Sequence, residues 1–204
     1  MKAFWEKRYS EKTYAYGKEP NVYFKQIIET LTPGKILLAA EGEGRNAVFA
    51  ASLGWEVYAY DFSEMAYEKA MQLACEKGVT IQYQIASLSD LEFPENFFDA
   101  IGLIYVHFPD SIRSMNHQKL SKFLKKRGHI ILEAFSQNHL KYQLKNPCVG
   151  GPKIKSQLYS EEKLKNDFKS YKFLTLKEEE ILLDEGSFHK GLSSVVRMKA
   201  EKIN

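Results

Sequence analysis

The stretch that most constrains this chain runs from Lys35 to Asp61, KILLAAEGEGRNAVFAASLGWEVYAYD. Ile36-Leu37-Leu38-Ala39 is a short apolar run entered from the turn signal Pro33-Gly34, which predicts a buried strand. Ala40-Glu41-Gly42-Glu43-Gly44 then alternates small residues with acids, and Arg45 to Leu53 carries Ala47, Val48, Ala50 and Ala51 at helical spacing. Gly54 is a helix stop. Val57-Tyr58-Ala59-Tyr60 is a second β-rich run, ending on Asp61. Strand, glycine turn, helix, strand and acid in that order make a nucleoside-binding half-site. The glycines let backbone approach a ligand closely. The helix behind them offers free N–H groups. An acid about 20 residues on can accept both hydroxyls of a ribose.

The half-site is not of the dinucleotide kind. A G-x-G-x-x-G turn has a glycine three residues past its second glycine; here Ala47 stands there, which the motif tolerates. Glu41 and Glu43 flank the turn. Their charge repels a pyrophosphate and suits a cofactor that carries an amine and a sulfonium. The competing reading is a doubly wound domain whose glycines only make a tight turn.

Around this unit the chain reads as one α/β domain, residues 1–204. Phe4, Trp5, Tyr9, Tyr14 and Tyr16 crowd into the first 20 residues. They predict either a helix that docks its aromatics on the core or a lid whose ring faces attract a sulfonium and exclude water. Pro20-Asn21 opens a helix with Phe24, Ile27, Ile28 and Leu31 on one face. Ser63 is the N-cap of a helix through about Glu76, which leaves Asp61 free for a ligand and Phe62 free to pack on an adenine face. Thr80 to Ile85 alternates as a third strand, closed by Ala86-Ser87-Leu88-Ser89-Asp90. Ala100 to Val106 is apolar throughout, as in a central parallel strand covered on both faces.

Ligands of open parallel sheets bind outside the carboxyl ends of the strands, so Tyr105 and His107 stand where chemistry is expected. His107 titrates near neutrality and is the candidate general base; the alternative is a hydrogen-bonded strand-end histidine. Asp110 or Ser111 caps a helix through about Lys126, whose basic run Lys122, Lys125, Lys126, Arg127 complements the helix dipole. A fifth strand starts at Gly128, with Glu133 and Phe135 as pocket walls at its tip. Residues 136–160 form a loop-rich insertion containing Gly150-Gly151-Pro152, of the length that lids and binding loops have; Tyr142 and Lys153 are its substrate-side candidates. Ser160 caps a last helix. Phe173 to Leu183 and Leu192 to Lys199 then make a terminal β-hairpin, with His189 in an exposed turn between them. A dinucleotide fold would end on a parallel strand instead.

Composition excludes several classes. A net charge of +3 calls for neither nucleic acid nor an anionic membrane. No run approaches the roughly 18 apolar residues of a membrane span, and MKAFWEKRYSEK is not a signal peptide. Cys75 and Cys148 fit free thiols in a reducing cytoplasm. The five histidines show no metal-ligand spacing, and neither a G-x-S-x-G elbow nor a Walker lysine is present.

AAEGEGRNAVFAA with Asp61 resembles motifs I and II of class I S-adenosylmethionine-dependent methyltransferases. With W-x-x-R-Y followed by Y-A-Y-G-x-E-P-N, and the G-G-P string, it is similar to the bacterial tellurite-resistance and thiopurine methyltransferase-like branch. The resemblance spans nearly the whole chain. It implies a Rossmann-like, doubly wound, mostly parallel seven-stranded sheet with a C-terminal antiparallel hairpin. It also implies S-adenosylmethionine bound by Tyr16, Ala40, Glu41, Gly42, Arg45, Asp61, Phe62, Ala86, Ser87, Leu88 and Tyr105. A small-molecule acceptor would be bordered by Tyr105 and His107, in a monomer or weak homodimer. Leu38 and Ser87 depart from the superfamily, which usually has acids there, so Glu41 and Asp61 are expected to carry most of the site's negative charge. The alternatives are a non-catalytic module that binds S-adenosylmethionine or S-adenosylhomocysteine, and an NAD(P)-dependent oxidoreductase, which Glu41, Glu43 and the hairpin disfavour.

Overall fold

The structure, a computed structural model, describes residues 2–203. In chain order the elements are α1 (Lys2–Tyr9), α2 (Val22–Ile28), β1 (Lys35–Ala39), α3 (Arg45–Ser52), β2 (Glu56–Asp61), α4 (Glu64–Glu76) and β3 (Gln82–Ile85). There follow β4 (Phe98–Ile104), α5 (Asp110–Phe123), β5 (Leu124–Phe135), α6 (Leu140–Gln143), α7 (Glu161–Asp167), β6 (Tyr171–Glu185) and β7 (His189–Lys202). The strands form one seven-stranded sheet in the order β3-β2-β1-β4-β5-β7-β6. β1 to β5 are parallel, and β7 runs antiparallel to both β5 and β6. This is the Rossmann-like, mostly parallel sheet ending in an antiparallel C-terminal hairpin that the sequence predicts, with β7 as the one reversed strand of the seven.

Its apolar strands follow from cover on both faces. Ile36 and Leu38 of β1 pack with Phe24 and Ile28 of α2, Val48 of α3 and Leu73 of α4. Leu37 and Ala39, on the opposite face, join Leu120 and Phe123 of α5, Leu164 of α7, Phe168 just beyond its end, and Met198 of β7. Strand order reverses between β1 and β4, so the crevice at their carboxyl ends is the topological switch point where such sheets bind ligands.

Three expected boundaries move. α5 ends at Phe123, so Lys125, Lys126 and Arg127 lie in β5 rather than at a helix C-terminus. The helix needs no cation of its own there, because Lys202 Nζ donates to Ser121 O and Leu124 O from the far end of the chain. The third strand is shorter, from Gln82. The hairpin strands are longer than expected and leave only Gly186 to Phe188 between them. Packing of the tip against the N-terminal segment extends them: Ser187 N donates to Ala15 O at 3.0 Å. His189 is consequently buried in β7, not exposed in a turn.

The insertion folds as short 3-10 turns and α6. It is closed at its base by a parallel bridge between Ser136 and Tyr159 and tied to the hairpin by Asn146 Nδ2 donating to Lys190 O at 3.0 Å. Tyr142 donates its hydroxyl to Glu180, and Lys153 is exposed. Among the described residues no helix is long and apolar enough to cross a membrane.

Candidate active site

The glycine turn between β1 and α3 is built from left-handed residues. Ala40, Gly42 and Gly44 have φ of 45°, 64° and 85°. Gly44 is the N-cap of α3 and supplies no side-chain cap, and a Cβ there would lie 2.6 Å from that of Ala70. Glu41 does the capping from inside the turn: its Oε1 accepts from Asn46 N and Ala47 N, each at 2.8 Å. Desolvation lifts the Glu41 carboxyl to about 7. Glu43 accepts from Ala15 N at 2.7 Å and pairs with Lys69 at 2.7 Å. Both turn acids are thus committed to protein groups, which corrects the expectation that Glu41 serves chiefly as fixed negative charge for a ligand.

Asp61, at the carboxyl end of β2, is differently placed. Its Oδ2 accepts from Gly42 N at 3.1 Å and its Oδ1 from Ser63 N at 3.0 Å. These partners are backbone N–H groups, so lone pairs remain on both oxygens. Burial raises its carboxyl above the usual range, against the pull of those bonds. Ser63 caps α4 through Ala66 N, as the sequence predicts. Phe62 is half-buried beside Asp61. Ala86 N donates to Asp61 O at 2.9 Å, which brings the Ala86–Leu88 segment alongside. Ser87 gives both its N–H and its hydroxyl to Asp90, and Leu88 is buried in the core.

The N-terminal segment closes over this turn. Glu6 of α1 accepts from Ser63 Oγ, Glu64 N and Met65 N at 2.9, 3.0 and 3.3 Å, and so caps α4 from outside. Tyr9 is buried, Trp5 stacks on it at 5.5 Å, and its hydroxyl lies 2.8 Å from the point a Cβ on Gly42 would occupy. Residues 13–19 then form a strap. Lys69 holds Thr13 O, and Arg45 donates to Tyr16 O at 3.2 Å and to Glu19 O at 3.5 Å. Tyr14 packs against the core beside α4 and donates to Lys69 O, whereas the Tyr16 ring lies 4.4 Å from that of His189. Tyr9 of this segment therefore reaches the glycine turn, where the Tyr83 hydroxyl also donates to Gly42 O at 2.6 Å. The place of Tyr9 four residues after Trp5, on the same helix face, was the available signal.

At the tip of β4, Tyr105 has a φ of 56°, a strained value for a bulky residue. Its hydroxyl donates to the fully buried Glu133 at 2.8 Å. His107 does not meet the needs of a base. Its Nε2 accepts from Phe135 N at 3.3 Å, so Nδ1 carries the proton and donates to Gln157 O at 2.8 Å. With both nitrogens used and desolvation lowering its pKa to about 4, it fastens the insertion to β5. The imidazole that reaches Tyr105 is that of the buried His189, whose ring lies 4.3 Å from Tyr105 and whose Nδ1 is 3.3 Å from Glu185. Glu185 is held at about 2; its bonds to His189 and Arg45 outweigh its burial. The G-G-P turn backs this imidazole: a Cβ on Gly150 would stand 2.7 Å from its Cδ2. Arg45 donates to Glu185 at 2.8 Å, so it braces the strap and the hairpin together.

The residues fit a nucleoside cofactor with a cationic centre. An acid bonded by backbone N–H groups can take a diol, the cradle over Gly42 has no side chain of its own, and aromatic rings surround it. The Tyr9 hydroxyl of α1 stands in that cradle. Residues 36–128 match a family profile described as a methyltransferase domain. The structure is similar to one reported for the conversion of a disulfide bond into a thioacetal group during echinomycin biosynthesis, with a TM-score of 0.77, 17% identity and 99% and 90% of the two chains covered. A S-adenosylmethionine-dependent methyltransferase from Methanosarcina mazei gives 0.72 at 18% identity, covering 91% of this chain and 99% of that one. TehB from Haemophilus influenzae gives 0.71 at 17%, covering 98% and 66%. No curated protein sequence matches. Residues 36–128 thus match a methyltransferase domain, and the fold is one shared with solved S-adenosylmethionine-dependent methyltransferases.

Proposed function

We propose that this protein transfers a methyl group from S-adenosylmethionine to a small acceptor bound between the strap and the hairpin tip. The observation that carries the reading is Asp61, an acid at the carboxyl end of β2 whose hydrogen bonds come from the backbone N–H groups of Gly42 and Ser63. In this reading Asp61 accepts from the ribose. Phe62 with Ala86, Ser87 and Leu88 borders the adenine. The turn at Ala40, Glu41 and Gly42 holds the methionine end, with Arg45 bracing it. Tyr16 and Tyr105 border the acceptor. When bound, the cofactor supplies an electrophilic methyl whose sulfur leaves as a neutral thioether, so no acid is needed. The chain's own work is alignment and exclusion of water. Where the acceptor arrives protonated, His189, oriented by Glu185, is the group placed to take the proton.

The tellurite-resistance and thiopurine methyltransferase-like branch is the finer assignment. The A-E-G-E-G-R-N turn and the N-terminal aromatic signature support it. In the same reading residues 1–204 are one domain, with residues 1–20 as lid and 136–160 as insertion. It works as a monomer or weak homodimer in the cytoplasm, without nucleic acid or membrane; the small net charge and the free Cys75 and Cys148 support this.

Calorimetry tests the cofactor: saturable binding of S-adenosylmethionine and S-adenosylhomocysteine is expected, and binding of NAD in their place overturns the reading. Transfer of labelled methyl to thiols, selenite or tellurite, small amines or proteins then identifies the acceptor. Binding without transfer to any of them would favour a non-catalytic module.

A further inference from the structure

Asn21 is 1% exposed and sits where the strap, β5 and the hairpin tip meet. Its Oδ1 accepts from Phe24 N at 2.9 Å and caps α2, which fixes the amide orientation. Its backbone N donates to Asn46 Oδ1 at 2.9 Å. Its Nδ2 donates to two different carboxylates, Glu133 Oε1 at 2.7 Å and Glu185 Oε1 at 2.9 Å. Glu133 in turn accepts from the Tyr105 hydroxyl and from Arg197 Nε at 2.5 Å. Glu185 accepts from Arg45 and faces His189 Nδ1. The chain of bonds Tyr105–Glu133–Asn21–Glu185–His189 therefore begins and ends at two rings that touch, 4.3 Å apart.

We infer that Asn21 is a positioning residue that sets the relative placement of Tyr105 and His189 by holding Glu133 and Glu185 on the two protons of one amide. The role rests on the reading above that these rings border the acceptor. A neutral double donor is what the place requires. The two carboxylates each have a guanidinium, Arg197 and Arg45, and Asn21 adds no charge between them while satisfying an oxygen of each. An aspartate of the same shape would still cap α2 but has no proton to give. A serine would cap α2 but is too short to bridge both acids.

The test follows the His189 imidazole by NMR across pH in the wild type, Asn21→Asp and Asn21→Ser. The groups facing His189 are Glu185 on its own hairpin, which favours the imidazolium, and Arg45 from α3 and Arg8 from α1, which oppose it. Tyr16, Tyr105, Phe135 and the imidazoles of His107 and His139 also face it. In Asn21→Asp the added carboxylate is expected to raise the His189 titration midpoint by about one pH unit. In Asn21→Ser the Tyr105–His189 ring contacts are expected to weaken, with the midpoint also displaced. S-adenosylhomocysteine affinity should change less than about threefold in both, since a shift of that size is under one kcal/mol. Unchanged His189 midpoints and ring contacts, with only a lower melting temperature, would reduce Asn21 to a helix cap and overturn the inference. Should Asn21→Asp not fold, Asn21→Ser decides alone. Failure of the wild type to bind S-adenosylhomocysteine would remove the cofactor reading but leave the His189 readout intact.

Discussion

At Asp61 the useful property is what the carboxylate leaves unspent. Gly42 N and Ser63 N fix its orientation while lone pairs stay available. Asp61→Ala is expected to weaken S-adenosylhomocysteine binding by about 1–3 kcal/mol, the loss of two charge-assisted hydrogen bonds, as read by calorimetry. His107 is the opposite case, a side chain whose ring nitrogens are both used by the fold. Its pKa is about 4 in the native protein against an ordinary 6.5. Between those values the unfolded chain binds a proton that the native state does not, so His107 makes stability rise with pH through that window and level off above it. Glu41, lifted to about 7, acts in the opposite direction, so the test is a difference. Urea unfolding of His107→Gln should show a pH 4.5-to-7 stability change smaller than the wild type's by on the order of 1–2 kcal/mol. An equal change in both proteins would mean that His107 titrates normally.

Two elements the sequence marks only loosely, α1 and the β6–β7 hairpin, decide how the site is enclosed. α1 is docked by the Glu6 cap on α4, by Tyr9 over Gly42 and by Trp5 and Tyr9 packed with Ala66 and Met65. Removing the cap should release it. Glu6→Ala is expected to speed hydrogen exchange across residues 2–9 by about tenfold, the equivalent of one lost cap, and to raise the association rate of S-adenosylhomocysteine. Faster exchange without faster association would show that α1 is not the barrier to entry. The hairpin was legible as two antiparallel β-rich runs but not in its length. Its last residues are kept as strand by a contact with Ala15, some 170 positions away in the chain. That contact buries Glu185 and His189, which the local pattern of charged residues assigns to solvent.

For the whole molecule, the proposed cofactor would bind the native state alone, and its binding is expected to stabilise that state by mass action. At about 100 times its dissociation constant, S-adenosylhomocysteine is expected to contribute about 2.7 kcal/mol. That raises the melting temperature of a domain of this size by roughly 5–10 °C. The same concentration of NAD should leave it unchanged, and an equal rise with NAD would favour the oxidoreductase reading. The sheet supplies the logic. Five parallel strands set the switch point, and the β6–β7 hairpin, whose β7 is antiparallel to its neighbours, brings Glu185 and His189 beside Tyr105.

The sequence alone determined the sheet, the glycine turn and Asp61, because each rests on local signals: strand periodicity, residues that tolerate positive φ, and a fixed spacing along one β-α-β unit. Only the tertiary structure decided which polar groups are free. Glu41 is taken by the N-terminus of α3, Glu43 by the strap, His107 by the insertion, and Asn21, Glu133 and Glu185 by one another. A side chain's residue type sets the bonds it can make. Which of them remain for a ligand depends on partners brought from distant parts of the chain, and burial then sets the charge it carries.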